Sequence, residues 1–265
     1  MRKAQLPTER RLEILDLVRA RPIVRADELA DHFGVSGETV RRDLVALERE
    51  GHTRRVYGGV TKSGGAAEAP YEERRIAHEP QKAAMARLAV SLIEPGDLLV
   101  LDVGTSVARV AAQLPSGYHG LVLTNSIPAA TVLAGRPGVD VLTSGGRLRA
   151  GDLACSGPAA ETFFAGFYGG KAFLGSGGVH PMLGLTDYYL DEISMRRVII
   201  SQAEACYVMA DSSKLGKVAL AKVCDLDRVT GVITDDGVDE KVAQEFERVG
   251  VRLLVAETDR EPQRT

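Results

Sequence analysis

The residues best suited to chemistry in this 265-residue sequence are small and polar, and five short segments between residues 104 and 214 contain them. Glycines let the backbone approach a ligand, hydroxyl groups donate hydrogen bonds, and Lys214 adds a full positive charge. Each segment alone reads as a turn made of ordinary turn residues. Five of them at one edge of a sheet favour a phosphorylated ligand. The segments are Gly104-Thr105-Ser106, Thr124-Asn125-Ser126, Gly145-Gly146, Gly175-Ser176-Gly177-Gly178 and Asp211-Ser212-Ser213-Lys214.

A second set of candidate residues lies near the N-terminus, where side chains could contact DNA. On a helix over 37–50, Glu38 and Arg42 point away from an apolar stripe and Arg41 lies on its flank. An arginine can bond to O6 and N7 of guanine together, and hydroxyls at the helix start can bind phosphate. Periodicity alone equally allows Arg41 and Arg42 to be solvated surface residues. The candidate DNA contacts are Ser36, Glu38, Thr39, Arg41, Arg42, Arg54, Arg55 and Tyr57.

Three short helices and a hairpin are predicted to position these side chains. Apolar residues at helical spacing predict helices over 8–21, 25–33 and 37–50. Gly34 is a C-terminal stop for the second helix and Ser36 a cap for the third. Strand-like residues around Gly58-Gly59 predict a wing. This is the element order of a winged helix-turn-helix, in which the second helix of the pair enters the major groove.

From residue 76 onward the sequence predicts an α/β domain with a largely parallel sheet covered on both faces, because apolar runs alternate with helical patterns. In such sheets the carboxyl ends of the strands line the ligand crevice. Small residues followed by charged ones predict a linker before this domain. The predicted strands lie near 98–103, 120–124, 139–144, 171–175, 205–210, 230–234 and 252–256. The predicted organisation is a DNA-binding domain over 1–62, a linker over 63–75, an α/β domain over 76–257 and a tail over 258–265.

Composition and charge narrow the possible functions. Residues 1–62 contain 13 Lys and Arg against 10 Asp and Glu, whereas the whole chain has a net charge of −3. A basic head on an acidic body suits DNA contact by the head alone. The apolar runs are far shorter than the ~20 residues of a membrane span, and the sequence shows no signal-peptide core. These features predict a cytoplasmic protein without a membrane partner. Three separated cysteines fit reduced thiols, and five scattered histidines lack metal-ligand spacing, so we expect no metal and no cofactor.

The order and spacing of these residues closely resemble the DeoR family of bacterial regulators. The N-terminal pieces that match are Ala26-Asp27-Glu28-Leu29-Ala30, Phe33-Gly34-Val35-Ser36, Glu38-Thr39-Val40-Arg41-Arg42-Asp43-Leu44, Leu47-Glu48, Gly51, Arg54 and Val56-Tyr57-Gly58-Gly59-Val60. Residues 76–236 are similar to the sensor domain of that family, through Lys82, Gly96-Asp97, Leu101-Asp102-Val103-Gly104-Thr105-Ser106, Thr124-Asn125-Ser126, Gly145-Gly146, Phe173-Leu174-Gly175, Gly184-Leu185-Thr186, Glu192, Asp211-Ser212-Ser213-Lys214 and Thr234-Asp235. The resemblance implies a small α+β winged helix-turn-helix followed by a Rossmann-like α/β sensor. The sensor fold is shared with ribose-5-phosphate isomerase and glucosamine-6-phosphate deaminase.

The resemblance also implies an effector site for phosphorylated sugars or similar metabolites. In that site Thr105, Ser106, Asn125 and Lys214 would hold the phosphate and its neighbours. Arg196 stands where relatives usually have lysine and Lys171 where they usually have aspartate, and both are expected near the site. The candidate effector-binding residues are Asp102, Gly104, Thr105, Ser106, Asn125, Gly145, Gly146, Gly175, Gly177, Arg196 and Lys214.

The alternative function is a phosphosugar isomerase or deaminase with an appended DNA-binding head. Aligned on Asp211-Ser212-Ser213-Lys214, the isomerase pattern would place a catalytic glutamate at 196 and an acidic residue at 177, where this chain has Arg196 and Gly177. A guanidinium cannot act as a base near neutral pH. A third class, RNA-binding or scaffold proteins, is disfavoured by the lack of tryptophan and of aromatic stacking platforms in the head.

We therefore expect a transcriptional regulator without catalytic residues, a repressor of carbohydrate genes. A phosphorylated sugar or similar metabolite would control its affinity for double-stranded operator DNA. A homodimer or homotetramer would match a two-fold operator.

Overall fold

The computed structural model describes residues 7–20, 24–49, 53–56, 59–62 and 68–259. The chain divides into two compact units, Met1–Ala67 and Glu68–Thr265. Each unit has its own buried apolar core.

The N-terminal unit contains three helices and a small antiparallel sheet within its described residues. The elements are α1 (Pro7–Ala20), β1 (Val24–Arg25), α2 (Ala26–Phe33), α3 (Gly37–Arg49), β2 (Thr53–Val56) and β3 (Gly59–Lys62). Strand β3 lies between β1 and β2. The three predicted helices are confirmed to within a residue, and β2 and β3 pair antiparallel as predicted for the wing. The core consists of Ile14, Val18, Val24, Leu29, Val40, Leu44, Leu47 and Val60.

Local capping fixes the turn between α2 and α3. Gly34 adopts the left-handed conformation with φ 62°, which ends α2. The Oγ atom of Ser36 accepts a hydrogen bond from the backbone N–H of Thr39 at 3.2 Å, which caps α3 as predicted. The carboxylate of Asp43 pairs with Arg10 at 2.6 Å and with Arg11 at 3.1 Å, so this buried acid ties α3 to α1.

The C-terminal unit is an α/β domain. Its first elements are α4 (Tyr71–Ile76), α5 (Glu79–Val90), β4 (Leu99–Leu101), α6 (Thr105–Gln113), β5 (Gly120–Thr124), α7 (Ile127–Leu133), β6 (Val139–Thr143), β7 (Arg147–Arg149), β8 (Ala154–Ser156) and α8 (Pro158–Ala165). The later ones are β9 (Lys171–Leu174), β10 (Gly178–His180), β11 (Gly184–Asp187), α9 (Leu190–Gln202), β12 (Ala205–Met209), β13 (Ala221–Cys224), β14 (Gly231–Asp235), α10 (Glu240–Arg248) and β15 (Leu253–Ala256).

Within residues 68–259, seven strands form one parallel sheet in the order β15-β14-β12-β9-β4-β5-β6. All seven predicted strands are therefore confirmed. Successive residues of a strand enter opposite cores: Leu99 and Leu101 pack with α5, α6 and α7, whereas Val100 packs with α8, α9 and α10. The strand order reverses between β4 and β9, and such a switch point opens a crevice at the carboxyl ends of the strands.

Two short antiparallel additions were not predicted from the sequence. Strands β7 and β8 form a hairpin, and β10, β11 and β13 form a three-stranded sheet. Both additions follow strands of the main sheet, and both contribute residues to the cavity described below.

The predicted linker over 63–75 is too long at its C-terminal end, because the second unit begins at Glu68. Residues 71–76 form α4, and the Nζ atom of Lys82 donates hydrogen bonds to the carbonyl oxygens of Arg74 and, at 2.5 Å, of Ala77. Those contacts fix the end of α4 to α5.

The core of the N-terminal unit generates a stability prediction. Leu47 is 1% exposed and Leu12 is 61% exposed. We expect Leu47→Ala to lower the free energy of unfolding of this unit by ~2–5 kcal/mol, because the substitution leaves a cavity. The matched surface change Leu12→Ala should stay within ~0.5 kcal/mol. Hydrogen exchange of residues 7–62 in the full-length protein measures both, and equal loss of protection in the two variants would contradict the core assignment.

Candidate functional site

A cavity that is partly open to solvent lies where the sheet order reverses, at the carboxyl ends of β4 and β9. Six of the predicted effector-binding residues line it: Gly104, Thr105, Ser106, Gly175, Arg196 and Lys214. The other lining residues are Glu68, Arg74, Val103, Arg149, Asp152, Ser176, Asp187, Glu192 and Met209. Most of the second group is charged, so the cavity is a strongly ionic site.

One wall of the cavity is the start of α6. Strand β4 ends at Leu101 and Gly104 turns the chain with φ 144°, so that Thr105 and Ser106 open the helix. The first turn, Thr105-Ser106-Val107, carries no charge of its own. Backbone N–H groups at a helix start lack intrahelical partners and lie at the positive end of the helix dipole. This wall is therefore suited to an anion.

The loop after β9, which lies against the loop after β4, requires a glycine at position 175. A Cβ atom on Gly175 would lie 2.6 Å from the carbonyl oxygen of Val103 and 3.2 Å from the Nη2 atom of Arg196. The loops after β4 and β9 approach too closely for any side chain there. The same approach lets the backbone N–H of Gly175 donate to the Oδ2 atom of Asp102 at 3.1 Å.

Lys214 reaches the cavity from a short 3-10 turn, Ser212–Lys214, that follows β12. The Oδ1 atom of Asp211 accepts from the backbone N–H of Ser213 at 3.1 Å, and Asp235 accepts from that of Ser212 at 2.7 Å. The Nζ atom of Lys214 donates to the carbonyl oxygen of Ser176. The turn is thus fixed from two strands, and it presents an ammonium group beside the α6 wall.

The centre of the site is the guanidinium of Arg196, which pairs with three buried carboxylates. Its Nε atom lies 2.6 Å from Asp102, its Nη2 atom lies 3.0 Å from Glu192, and its Nη1 atom pairs with Asp187. Burial opposes the charge, yet Asp102, Asp187 and Glu192 together raise the pKa of Arg196 well above its ordinary value. Arg196 therefore remains cationic and cannot serve as a base.

A second arginine extends this network. The Nε atom of Arg149, in β7, donates to Asp152 at 2.9 Å, and its Nη2 atom pairs with Glu192. Its guanidinium also stacks 3.6 Å from the ring centroid of Tyr189. Burial raises the pKa of Glu192 to about 8 despite the opposing charge of Arg196, because Asp187 and Asp102 lie nearby as well. Four carboxyl groups share two guanidinium groups, so burial and neighbouring like charges favour a proton within this network.

Sequence reasoning missed much of this network. Arg149 and Asp152 lie in the unpredicted β7–β8 hairpin, and Asp187 lies at the end of the unpredicted β11. The sequence did contain a signal for Glu192. It precedes Arg196 by four residues on one helix, and this spacing indicates an ion pair.

Five predicted effector-binding residues do not line the cavity. Asp102 lies behind it, holding Arg196 and Gly175. Asn125 is buried, and its amide donates to the carbonyl of Cys155 at 3.4 Å. Gly146 lies against the hairpin, where a Cβ atom would be 2.6 Å from the carbonyl oxygen of Ser156. Gly145 precedes it in the turn after β6, and Gly177 packs against Ala219.

The expectation that Lys171 lies near the site is wrong. Lys171 is the first residue of β9, and its Nζ atom pairs with Asp97 at 2.7 Å. The amino end of a parallel strand lies at the opposite edge of the sheet from the cavity. The charge of Lys171 therefore does not contribute to a ligand site at the carboxyl ends.

The candidate DNA contacts on α3 are exposed. The side chains of Arg41 and Arg42 are 64% and 78% exposed, and the carboxylate of Glu38 pairs with them at 2.8 Å and 3.4 Å. Ser36 is also exposed, and Thr39 is half-buried at the same end of the helix. Arg54 and Arg55 belong to β2. Tyr57 lies outside the described residues.

No group of three or more His, Cys, Asp or Glu residues in the described part of the chain could hold a metal ion.

Comparison with known proteins gives consistent matches over both units. The family model described as "DeoR-like helix-turn-helix domain" matches residues 10–63, and "DeoR C terminal sensor domain" matches residues 77–236. The HTH-type transcriptional regulator YulB of Bacillus subtilis (strain 168) is 32% identical over 249 residues, 94% of this chain and 96% of that protein. The glycerol-3-phosphate regulon repressor of Escherichia coli (strain K12) is 28% identical over 228 residues, 86% of this chain and 90% of that protein. Among solved structures, ribose 5-phosphate isomerase A from Methanocaldococcus jannaschii is 16% identical, with a TM-score of 0.37 over 52% of this chain and 55% of that one.

The raised pKa of Glu192 predicts how stability varies with pH. Burial raises the pKa of Glu192 to about 8 in the folded protein, whereas in the unfolded chain the pKa has its ordinary value of 4.5. Unfolding therefore releases a proton in this interval, and the free energy of unfolding from this group falls as pH rises from about 5 to about 8.

Glu192→Gln keeps the neutral form and should flatten that dependence, whereas exposed Glu240→Gln should not. Urea unfolding at several pH values between 5 and 8 measures the slope. A slope in Glu192→Gln as steep as in the wild type would contradict the raised pKa of Glu192.

Proposed function

Because this chain belongs to the DeoR family of transcriptional regulators, we propose that it represses carbohydrate-metabolism genes until a phosphorylated sugar or similar metabolite occupies the cavity. The observation that carries the proposal is the pairing, on one chain, of a helix with exposed arginines and a cavity where a helix start meets Lys214. The first suits DNA and the second suits a phosphate. The relative from E. coli is named a repressor of a glycerol-3-phosphate regulon, and that name refers to a phosphorylated metabolite, the ligand class proposed here.

In the proposed complex the phosphate lies between the start of α6 and Lys214. Thr105 and Ser106 supply hydroxyl and backbone donors, and Lys214 supplies charge. The carboxylates and guanidiniums around Arg149 and Arg196 then face the rest of the ligand, where sugar hydroxyls can both donate and accept. A polyhydroxylated phosphate ester is the ligand class that would use both the phosphate position and the ionic groups around Arg149 and Arg196.

The same geometry favours binding over catalysis. An isomerase needs a carboxylate that can take a proton from carbon, and the position expected for it holds Arg196. Asp102 and Asp187 are held by Arg196, and Asp152 is held by Arg149. We therefore propose a regulator that is not an enzyme.

We further propose that the protein acts in the cytoplasm as a homodimer or homotetramer. A two-fold assembly would place two copies of α3 on successive turns of an operator. No helix among the described residues has the length and apolar character needed to cross a membrane.

The DNA-binding assignment predicts a loss of affinity in Arg42→Ala. We expect binding to an operator selected from random duplexes to weaken roughly ten-fold or more, with relaxed base preference, because a fork to guanine is lost. Fluorescence anisotropy measures the change. Arg248→Ala, an exposed arginine of the other unit, is the matched control and should bind as the wild type. Wild-type affinity in Arg41→Ala, Arg42→Ala and the double variant would overturn the assignment of α3.

The effector assignment predicts that Lys214→Ala weakens ligand binding. A thermal-shift screen of phosphosugars identifies the ligand, since binding at 100 times its Kd adds ~2.7 kcal/mol of stability. A charge-assisted bond to phosphate contributes ~1.5–3 kcal/mol, so Lys214→Ala should raise the midpoint for operator release roughly ten-fold or more. Exposed Lys217→Ala is the control. Release at the wild-type midpoint by both Lys214→Ala and Thr105→Ala would place the phosphate elsewhere.

A further inference from the structure

The cavity already contains an anion that belongs to the protein. Glu68, the first residue of the second unit, lines the cavity together with Arg74. The Oε1 atom of Glu68 lies 2.9 Å from the Nη1 atom of Arg74, and the two side chains are only 11% and 14% exposed. A carboxylate is therefore held inside a site whose other features suit an anionic ligand.

The carboxylate of Glu68 lies in the field of Lys214, the cation that would receive a phosphate, and of Arg74 and Arg196, which line the same cavity. Burial raises its pKa, while the positive charges of Arg74, Lys214 and Arg196 act in the opposite direction and the negative charge of Asp187 adds to burial. Tyr188 and Tyr189 lie close enough for the charge of Glu68 to raise the pKa of each, after burial as the main cause. Glu68 and an incoming anion would share one set of partners, and two like charges there repel each other.

The contacts of residues 68–77 indicate which member of the Glu68–Arg74 ion pair stays in place when an anion binds and which one leaves. The Nε atom of Arg74 donates to the carbonyl oxygen of Ala69 at 2.9 Å, and Lys82 holds the carbonyl oxygens of Arg74 and Ala77. Arg74 is thus fixed on α4. Glu68 precedes that helix, and Arg74 is its ion-pair partner among the described residues.

We propose that the carboxylate of Glu68 is a resident competitor for the effector site, displaced when a dianionic phosphate binds. This inference rests on the proposed function. It makes Glu68 a specificity-determining residue, because a monocarboxylate ligand would replace one single negative charge by another, whereas a phosphoryl group brings a charge of about −1.5 to −2. The displaced residue is also the point where the chain enters the second unit, so ligand binding acts directly on the connection to the N-terminal unit.

The test measures binding of inorganic phosphate to full-length protein by isothermal titration. Glu68→Gln keeps the shape of the side chain and removes its charge, and we expect phosphate to bind about ten-fold more tightly than to the wild type. Glu72→Gln removes a charge from the same segment at an exposed position paired with Arg75, and should bind phosphate as the wild type does. Glu68→Ala, checked for an unchanged thermal transition, should act in the same direction as Glu68→Gln.

Acetate is the second probe and tests specificity. It should compete with phosphate in Glu68→Gln, where Arg74 has lost its carboxylate, and not in the wild type. Equal acetate competition in the two proteins overturns the specificity role. Phosphate binding that is unchanged or weaker in Glu68→Gln, or undetectable in both proteins, overturns the competition itself.

Lys214→Ala separates this inference from the proposed function. If phosphate binds the wild type in a manner that depends on Lys214 but is unaffected by Glu68→Gln, the effector site stands and the competitor is refuted. If phosphate binding does not depend on Lys214, the proposed phosphate position fails together with the inference that rests on it.

Discussion

The C-terminal unit depends on the ion-pair hub of Arg196. This one guanidinium joins three places distant in sequence: Asp102 after β4, Asp187 at the end of β11 and Glu192 on α9. Removing a buried charge from water is costly, and the cost is offset only when every partner is in place; breaking such a pair costs ~3–5 kcal/mol. Asp102 also accepts from the N–H of Gly175, so the hub fixes the loops after both strands of the switch point.

The same hub determines what the cavity can do. A cation at position 196 pairs with the carboxylates around it and cannot take a proton near neutral pH. The charges are then divided between a cationic wall, formed by the α6 start and Lys214, and a mixed wall around Arg149 and Glu192. The proposed phosphate position lies at the first wall, and Glu68, where the chain enters the unit, lines the same cavity.

The features that were predicted from the sequence are those that local patterns of residues determine. Helical spacing indicated α1 to α3, apolar runs indicated the seven parallel strands, and the rule for strand ends indicated Thr105 and Lys214. The sequence did not predict Arg149 or Asp187, because they lie on strands of three or four residues, too short to show a period. Asn125 and Gly146 were assigned to the ligand since turn residues look alike whether they serve packing or binding. Glu68 fell in a predicted linker, where composition gives no indication of a long-range contact.

The proposed regulation requires energetic coupling between the cavity and the helix-turn-helix, and one thermodynamic cycle measures that coupling directly. The affinity for operator DNA is determined with and without saturating phosphosugar, and the affinity for the phosphosugar with and without operator. Both affinities should weaken by the same factor, of the order of 5- to 150-fold, because coupling between two sites is reciprocal. A phosphosugar that binds in a manner dependent on Lys214 while the operator affinity stays unchanged would contradict it.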